Sequence, residues 1–210
     1  MPEFERVAGP FSFTEGPVWD GERVVFTDIP PSRIMAFDPA TGTTEVLMEG
    51  TEKSNGLALD ADGWLYACQD AGRRVVWYES DGSRTVVVET FEGRRLNSPN
   101  DLAIDRAGRI WFSDPRYGDN RADMELDHES VYLATPADAA GVTAVNATGD
   151  DGCRLARVTL DTTRPNGVLL DAAETTLFVA ESPRAPEGRR ELRAYPIGSD
   201  FSLGAPVVSG

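Results

Sequence analysis

The sequence predicts an all-β fold of the β-propeller type, and three observations carry that reading. Short apolar strands occur without helical periodicity, a unit recurs at intervals of about 40 to 66 residues, and one polar residue returns at the same place in every unit. Four segments align: TEGPVW from Thr14, SNGLAL from Ser54, PNDLAI from Pro99 and PNGVLL from Pro165. Each opens on an acid or amide (Glu15, Asn55, Asn100, Asn166) and runs as an apolar strand to an aspartate in a turn (Asp20, Asp60, Asp105, Asp171). A second strand follows and closes on another acid, read as Asp28, Asp70, Asp114 or Glu181. Third strands are expected at RIMAF, RVVWY, ESVYL and ELRAY, and fourth strands at TTEVLM, RTVVVE, CRLARVTL and APVVS. Turn chemistry such as Asp20-Gly21 and Asp62-Gly63 separates the strands, and Pro and Gly break the windows long enough for a helix.

Four units of four strands describe sheets repeated radially, which is how a propeller limits its exposed edges. The expected blades are 10–50, 51–93, 94–161 and 162–210, in one domain spanning 1–210. The long third interval implies an insertion of about 20 residues. It is assigned to Arg116–His128, as a lid over the site or a solvated loop. A tandem β-sandwich would explain the strands but not the recurring polar opener. In a propeller the innermost strands line a channel, so Glu15, Asn55, Asn100 and Asn166 are expected to converge.

Composition narrows the function. The chain has 210 residues, 40% of them hydrophobic, and can bury a real core. Its net charge of −15 disfavours nucleic acid and anionic membranes and favours cations. No apolar run approaches the ~20 residues that span a bilayer, and MPEFERVAG has no basic-then-apolar start, so a soluble, cytoplasmic protein is expected. Cys68 and Cys153 lack metal-type spacing and are read as reduced thiols in or near strands.

One carboxylate with several amide oxygens suits a hard divalent cation such as calcium, whereas zinc or copper would recruit histidine or cysteine. The sole histidine, His128, lies in a charged stretch and no GxSxG elbow exists, so a serine triad has no support. His128 is expected at the surface or behind the site. Metal-assisted hydrolysis of an activated ester remains.

The motifs EGPVW (Glu15–Trp19), NSPNDL (Asn97–Leu102), WFSDPRYG (Trp111–Gly118) and RPNG (Arg164–Gly167) together resemble the gluconolactonase and regucalcin (senescence marker protein) family, most of all its bacterial gluconolactonase branch. The resemblance runs from about residue 10 to residue 205 and keeps the family's motif order. It implies a six-bladed propeller, of which this chain supplies about four blades, with one divalent cation, typically calcium, though magnesium, manganese or zinc is compatible. It further implies hydrolysis of sugar lactones. Glu15, Asn100 and Asn166 are similar to the family's metal-binding residues, and Asn100 also to a substrate contact. Asp101 is expected to orient the loop. Ser98 stands where regucalcin-like members have a substrate-contacting arginine, so recognition should differ. Asp114 and Tyr117 are further expected substrate contacts. The family's remaining ligand and general base is an aspartate whose counterpart would lie beyond Gly210. Two other readings stay open: a non-catalytic propeller that binds a small ligand or protein, and a metal-dependent esterase or phosphotriesterase of the same fold. The oligomeric state is not specified by the sequence.

Overall fold

The computed structural model describes residues 5–79, 81–117, 121–136, 153–183, 188 and 190–210. Within them the chain forms four sheets of four antiparallel strands, each in simple meander order. Sheet one is β1 (Thr14–Trp19), β2 (Val24–Asp28), β3 (Arg33–Asp38) and β4 (Thr43–Glu49). Sheet two is β5 (Ser54–Leu59), β6 (Leu65–Gln69), β7 (Arg74–Tyr78) and β8 (Arg84–Val88). A two-stranded ribbon follows, β9 (Thr90–Phe91) with β10 (Arg94–Arg95). Sheet three is β11 (Leu102–Ile104), β12 (Ile110–Asp114), β13 (Ser130–Pro136) and β14 (Cys153–Arg157). Sheet four is β15 (Pro165–Leu170), β16 (Thr176–Glu181), β17 (Leu192–Pro196) and β18 (Val207–Ser209). Each expected strand overlaps one of these.

The recurring turn aspartates close the first hairpin of each sheet. Asp20 Oδ1 accepts the amides of Glu22 and Arg23, and Asp105 Oδ1 those of Ala107 and Arg109. Asp60 and Asp171 do the same in their own turns. A carboxylate that accepts two backbone N–H groups holds the turn that the strands then extend.

Alternation sends each strand's apolar residues to two faces, and three clusters join the sheets in chain order. Val25, Ile34 and Ala36 of sheet one meet Leu57, Ala67, Val76 and Tyr78 of sheet two. Cys68, Val75 and Val88 meet Leu102, Phe112 and Tyr132, and Trp111, Val131 and Leu133 meet Val168, Leu177, Val179 and Tyr195. Burying each large side chain contributes roughly 1.5–3 kcal/mol. Phe112 stacks on Tyr132 with centroids 5.5 Å apart, inside the second of these clusters. Both thiols are free and buried there, and burial pushes the Cys153 thiol up to about 11.

Sheet four keeps one apolar face uncovered. The cross-strand row Leu169, Phe178, Ala194, Val207 is in register, and Leu169 and Val207 are 63% and 69% exposed. A cavity of about 470 Å³ lies there, between Leu169, Phe178, Leu192 and Asp101.

Two expectations need correction. The second strand of sheet two ends on Gln69 and not on Asp70: Ser54 pairs with Gln69 as Thr14 pairs with Asp28. A one-residue step along a strand reverses the face, so Asp70 cannot stand in for Asp28. The added length of the third unit is also not confined to Arg116–His128. Residues 115–129 do join β12 to β13 where 29–32 and 70–73 suffice elsewhere, but 137–152, between β13 and β14, form a second long connection and lie outside the described residues.

Candidate metal centre at the propeller axis

The four polar openers sit near the starts of the innermost strands, and their backbones are tied to one another in sequence around the axis. The Thr27 hydroxyl lies 3.1 Å from the Glu15 carbonyl and 3.0 Å from that of Asn55. Gly56 N donates to Asn100 O at 2.7 Å. The Ser113 hydroxyl donates to Asn166 O at 2.5 Å and accepts from Asp101 N at 3.2 Å. The main chains of Glu15, Asn55, Asn100 and Asn166 therefore follow one another on adjacent inner strands.

Glycine makes this closeness possible. A Cβ on Gly16 would lie 2.5 Å from Asn55 O, and one on Gly56 would lie 2.6 Å from Asp101 Oδ1. Both positions follow an opener, as Gly167 does. The third unit breaks the pattern with Asp101, whose carboxylate fills the space between inner strands and accepts Val168 N at 2.9 Å. Burial raises the Asp101 pKa to about 6, and the Glu15 charge adds to the rise. The departure from glycine was visible in the repeat alignment and is the signal that marks Asp101 as more than a loop residue.

Asn100 is buried, and its backbone N–H donates to Ser113 O at 2.9 Å. Asn166 is half-buried, with Nδ2 donating to the Tyr117 hydroxyl at 2.7 Å. Tyr117 is thus beside the expected ligand, its ring 4.0 Å from the Arg164 guanidinium carbon. Asp114 is fully buried, and its two oxygens accept Asn97 N and Ser98 N, each at 2.8 Å. Complete burial outweighs those bonds and pushes its pKa up to about 7. Asp28 and Glu181 play the same part, taking backbone amides of residues 12–13 and 163–164. The closing acids therefore anchor the segment that leads into each inner strand.

Ser98 accepts a hydrogen bond from Arg116 Nη1 at 2.7 Å, and Asn97 O accepts from the same nitrogen at 3.1 Å. A guanidinium therefore does reach Ser98, carried by the loop after β12, and Asp123 holds its other end at 2.6 and 2.8 Å. His128 bonds the Tyr132 hydroxyl at 2.7 Å and Asp127 at 2.8 Å, as part of the loop's support. Among the described residues no group of three His, Cys, Asp or Glu side chains could hold a metal ion. The expected donors are the Glu15 carboxylate and the Asn100 and Asn166 carboxamides, all of them oxygen ligands. That donor set fits a hard cation and not a thiophilic one.

Four four-stranded antiparallel meanders that pack side by side through their first strands define an all-β fold of the propeller type. The chain belongs to the SMP-30/gluconolactonase/LRE-like family, whose model matches residues 13–196. A gluconolactonase of Zymomonas mobilis is 31% identical over 201 residues, covering 86% of this chain and 52% of that protein. The pentonolactonase XacC of Haloferax volcanii is 38% identical over 104 residues, 46% of this chain and 32% of that one. A solved gluconolactonase of Xanthomonas campestris superposes with a TM-score of 0.79 at 31% identity, over 96% of this chain and 63% of that one. The calcium-binding protein regucalcin of Agrobacterium tumefaciens shares the fold, with a TM-score of 0.64 at 17% identity over 96% of this chain and 59% of that one. The chain spans between half and two thirds of the length of the two gluconolactonases it matches.

Proposed function

We propose that this chain carries the metal-holding inner strands of a sugar-lactone hydrolase whose whole ring has six blades. The series of bonds through Thr27, Gly56 and Ser113 supports the reading, because it ties the main chains of Glu15, Asn55, Asn100 and Asn166 to one another on adjacent inner strands. Glu15, Asn100 and Asn166 would hold one divalent cation, with calcium favoured by the all-oxygen set. Such an ion, when bound, polarises a lactone carbonyl and makes a coordinated water more acidic. The chain's own residues bind and orient. Asn100 and Tyr117 are assigned to the substrate side, Arg164 backs the Tyr117 ring, and Asp114 acts by holding the Asn97–Ser98 turn that leads to Asn100. The uncovered face of sheet four, Leu169 to Val207, would receive the next blade of the longer relatives' ring.

The test uses the full-length protein. After treatment with a chelator it should lose gluconolactone hydrolysis and regain it on adding calcium, and Glu15→Gln or Asn166→Ala should abolish both hydrolysis and cation binding. Hydrolysis that survives both substitutions with chelator present would overturn the mechanism. Cation binding without turnover of any lactone would favour a non-catalytic, ligand-binding propeller.

A further inference from the structure

Asn166 differs from the other openers in being gripped from both ends by sheet three. Its carbonyl accepts the Ser113 hydroxyl at 2.5 Å, which fixes the main chain. Its Nδ2 donates to the Tyr117 hydroxyl at 2.7 Å, which fixes the side chain. With the amide nitrogen committed to the phenol, Oδ1 is the end available to a cation. A carboxamide is a useful cation ligand only through its oxygen, so its rotational state decides whether the group attracts or repels a cation. A free asparagine would have to be frozen into the right state on binding, at a cost in rotamer freedom.

Tyr117 is itself immobilised. Its ring lies 4.0 Å from the Arg164 guanidinium carbon, and Arg164 Nη2 donates to Arg116 O at 2.7 Å, next to Tyr117 in the chain. Arg164 N donates to Glu181 Oε2 at 3.0 Å, which secures the segment that leads into Asn166. Asn166, Tyr117 and Arg164 thus close a loop of contacts between the β12–β13 connection and β15. Glu15 and Asn100 show no comparable side-chain restraint in the described bonds.

We propose that Tyr117 is a positioning residue: its hydroxyl sets the Asn166 carboxamide so that the oxygen is presented to a divalent cation at the axis. This rests on Asn166 being a cation ligand, and it adds a role for Tyr117 distinct from substrate contact. Tyr117→Phe keeps the ring under Arg164 and removes only the hydroxyl. Calcium affinity, read by titration calorimetry or by displacement of luminescent terbium from the full-length protein, should fall about five- to tenfold, the equivalent of one neutral hydrogen bond. The melting temperature without metal should hardly move. In an Asn166→Asp background, where two equivalent oxygens need no orientation, Tyr117→Phe should no longer lower the affinity. In the unsubstituted protein, the Asn166 side-chain NH2 protons should show slowed exchange by NMR that Tyr117→Phe abolishes.

Asn166→Ala separates the possible failures. If it leaves calcium affinity unchanged, the ligand assignment falls and the Tyr117 role falls with it. If it lowers affinity while Tyr117→Phe does not, or if Tyr117→Phe raises only the KM for the lactone, Asn166 stands as a ligand and the positioning role of Tyr117 is overturned. Unprotected Asn166 NH2 protons in the unsubstituted protein would overturn it equally.

Discussion

Thr27→Val tests the seam between sheets one and two, because it keeps the β-branched shape and deletes a single hydroxyl. Thr27 is fully buried, and its Oγ1 lies within 3.1 Å of two main-chain carbonyls, one from each inner strand. A neutral hydrogen bond contributes about 1 kcal/mol net, and leaving a buried acceptor unpaired costs about 1–3 kcal/mol. One hydroxyl hydrogen serves two buried carbonyls, so the middle of that range applies, and a loss of about 2 kcal/mol is expected. For a chain of this size each kcal/mol moves the midpoint by about 2–4 °C, so thermal unfolding should shift down by about 4–8 °C. The control is Thr85→Val on β8, which is exposed and should stay within about 0.5 kcal/mol of the parent. Both midpoints would be read by circular dichroism without added metal. If the Thr27 variant melts no lower than the Thr85 variant, the hydroxyl does not tie the inner strands together, and the ring of bonds loses its first link.

The buried Asp101 carboxylate predicts a pH effect. Its folded pKa of about 6 lies above the ordinary 3.8, so the folded state holds the proton more tightly than the unfolded one. Its contribution to stability is therefore largest below about pH 4 and declines as pH rises through about 6. Denaturant titrations between these values should show a flatter decline in Asp101→Asn than in the parent, and identical slopes would refute the assignment. The buried thiols predict that a thiol reagent labels neither Cys68 nor Cys153 in the native protein and labels both in denaturant. Fast native labelling would show that the core around Phe112 and Tyr132 opens readily.

The strands, the turn aspartates and the four polar openers were legible in the linear sequence, because each depends on local chemistry: alternation, hairpin closure and a repeated position. That the main chains of Glu15, Asn55, Asn100 and Asn166 lie on neighbouring inner strands was expected from the repeat, since equivalent positions of radially placed sheets adjoin one another. Finer assignments failed where one residue of register mattered. Asp70 is followed by a turn like its counterparts, yet Gln69 is the residue that points with Asp28, and only the pairing of β5 with β6 reveals it.

Contacts between units separated by tens of residues left no local trace. The Tyr117 hydroxyl meets an amide 49 positions away, and Arg116 arrives at Ser98 from the loop beyond β12. The sequence marked Asp114 as a closing acid and an expected substrate contact, and only the fold shows its two oxygens accepting the backbone amides of Asn97 and Ser98. Propensity and periodicity act over a few neighbours and so fixed the sheets and their polar openers. Which oxygen faces the axis, and which carboxylate is spent on backbone amides, depends on how the packed sheets close distances that the chain itself does not encode locally.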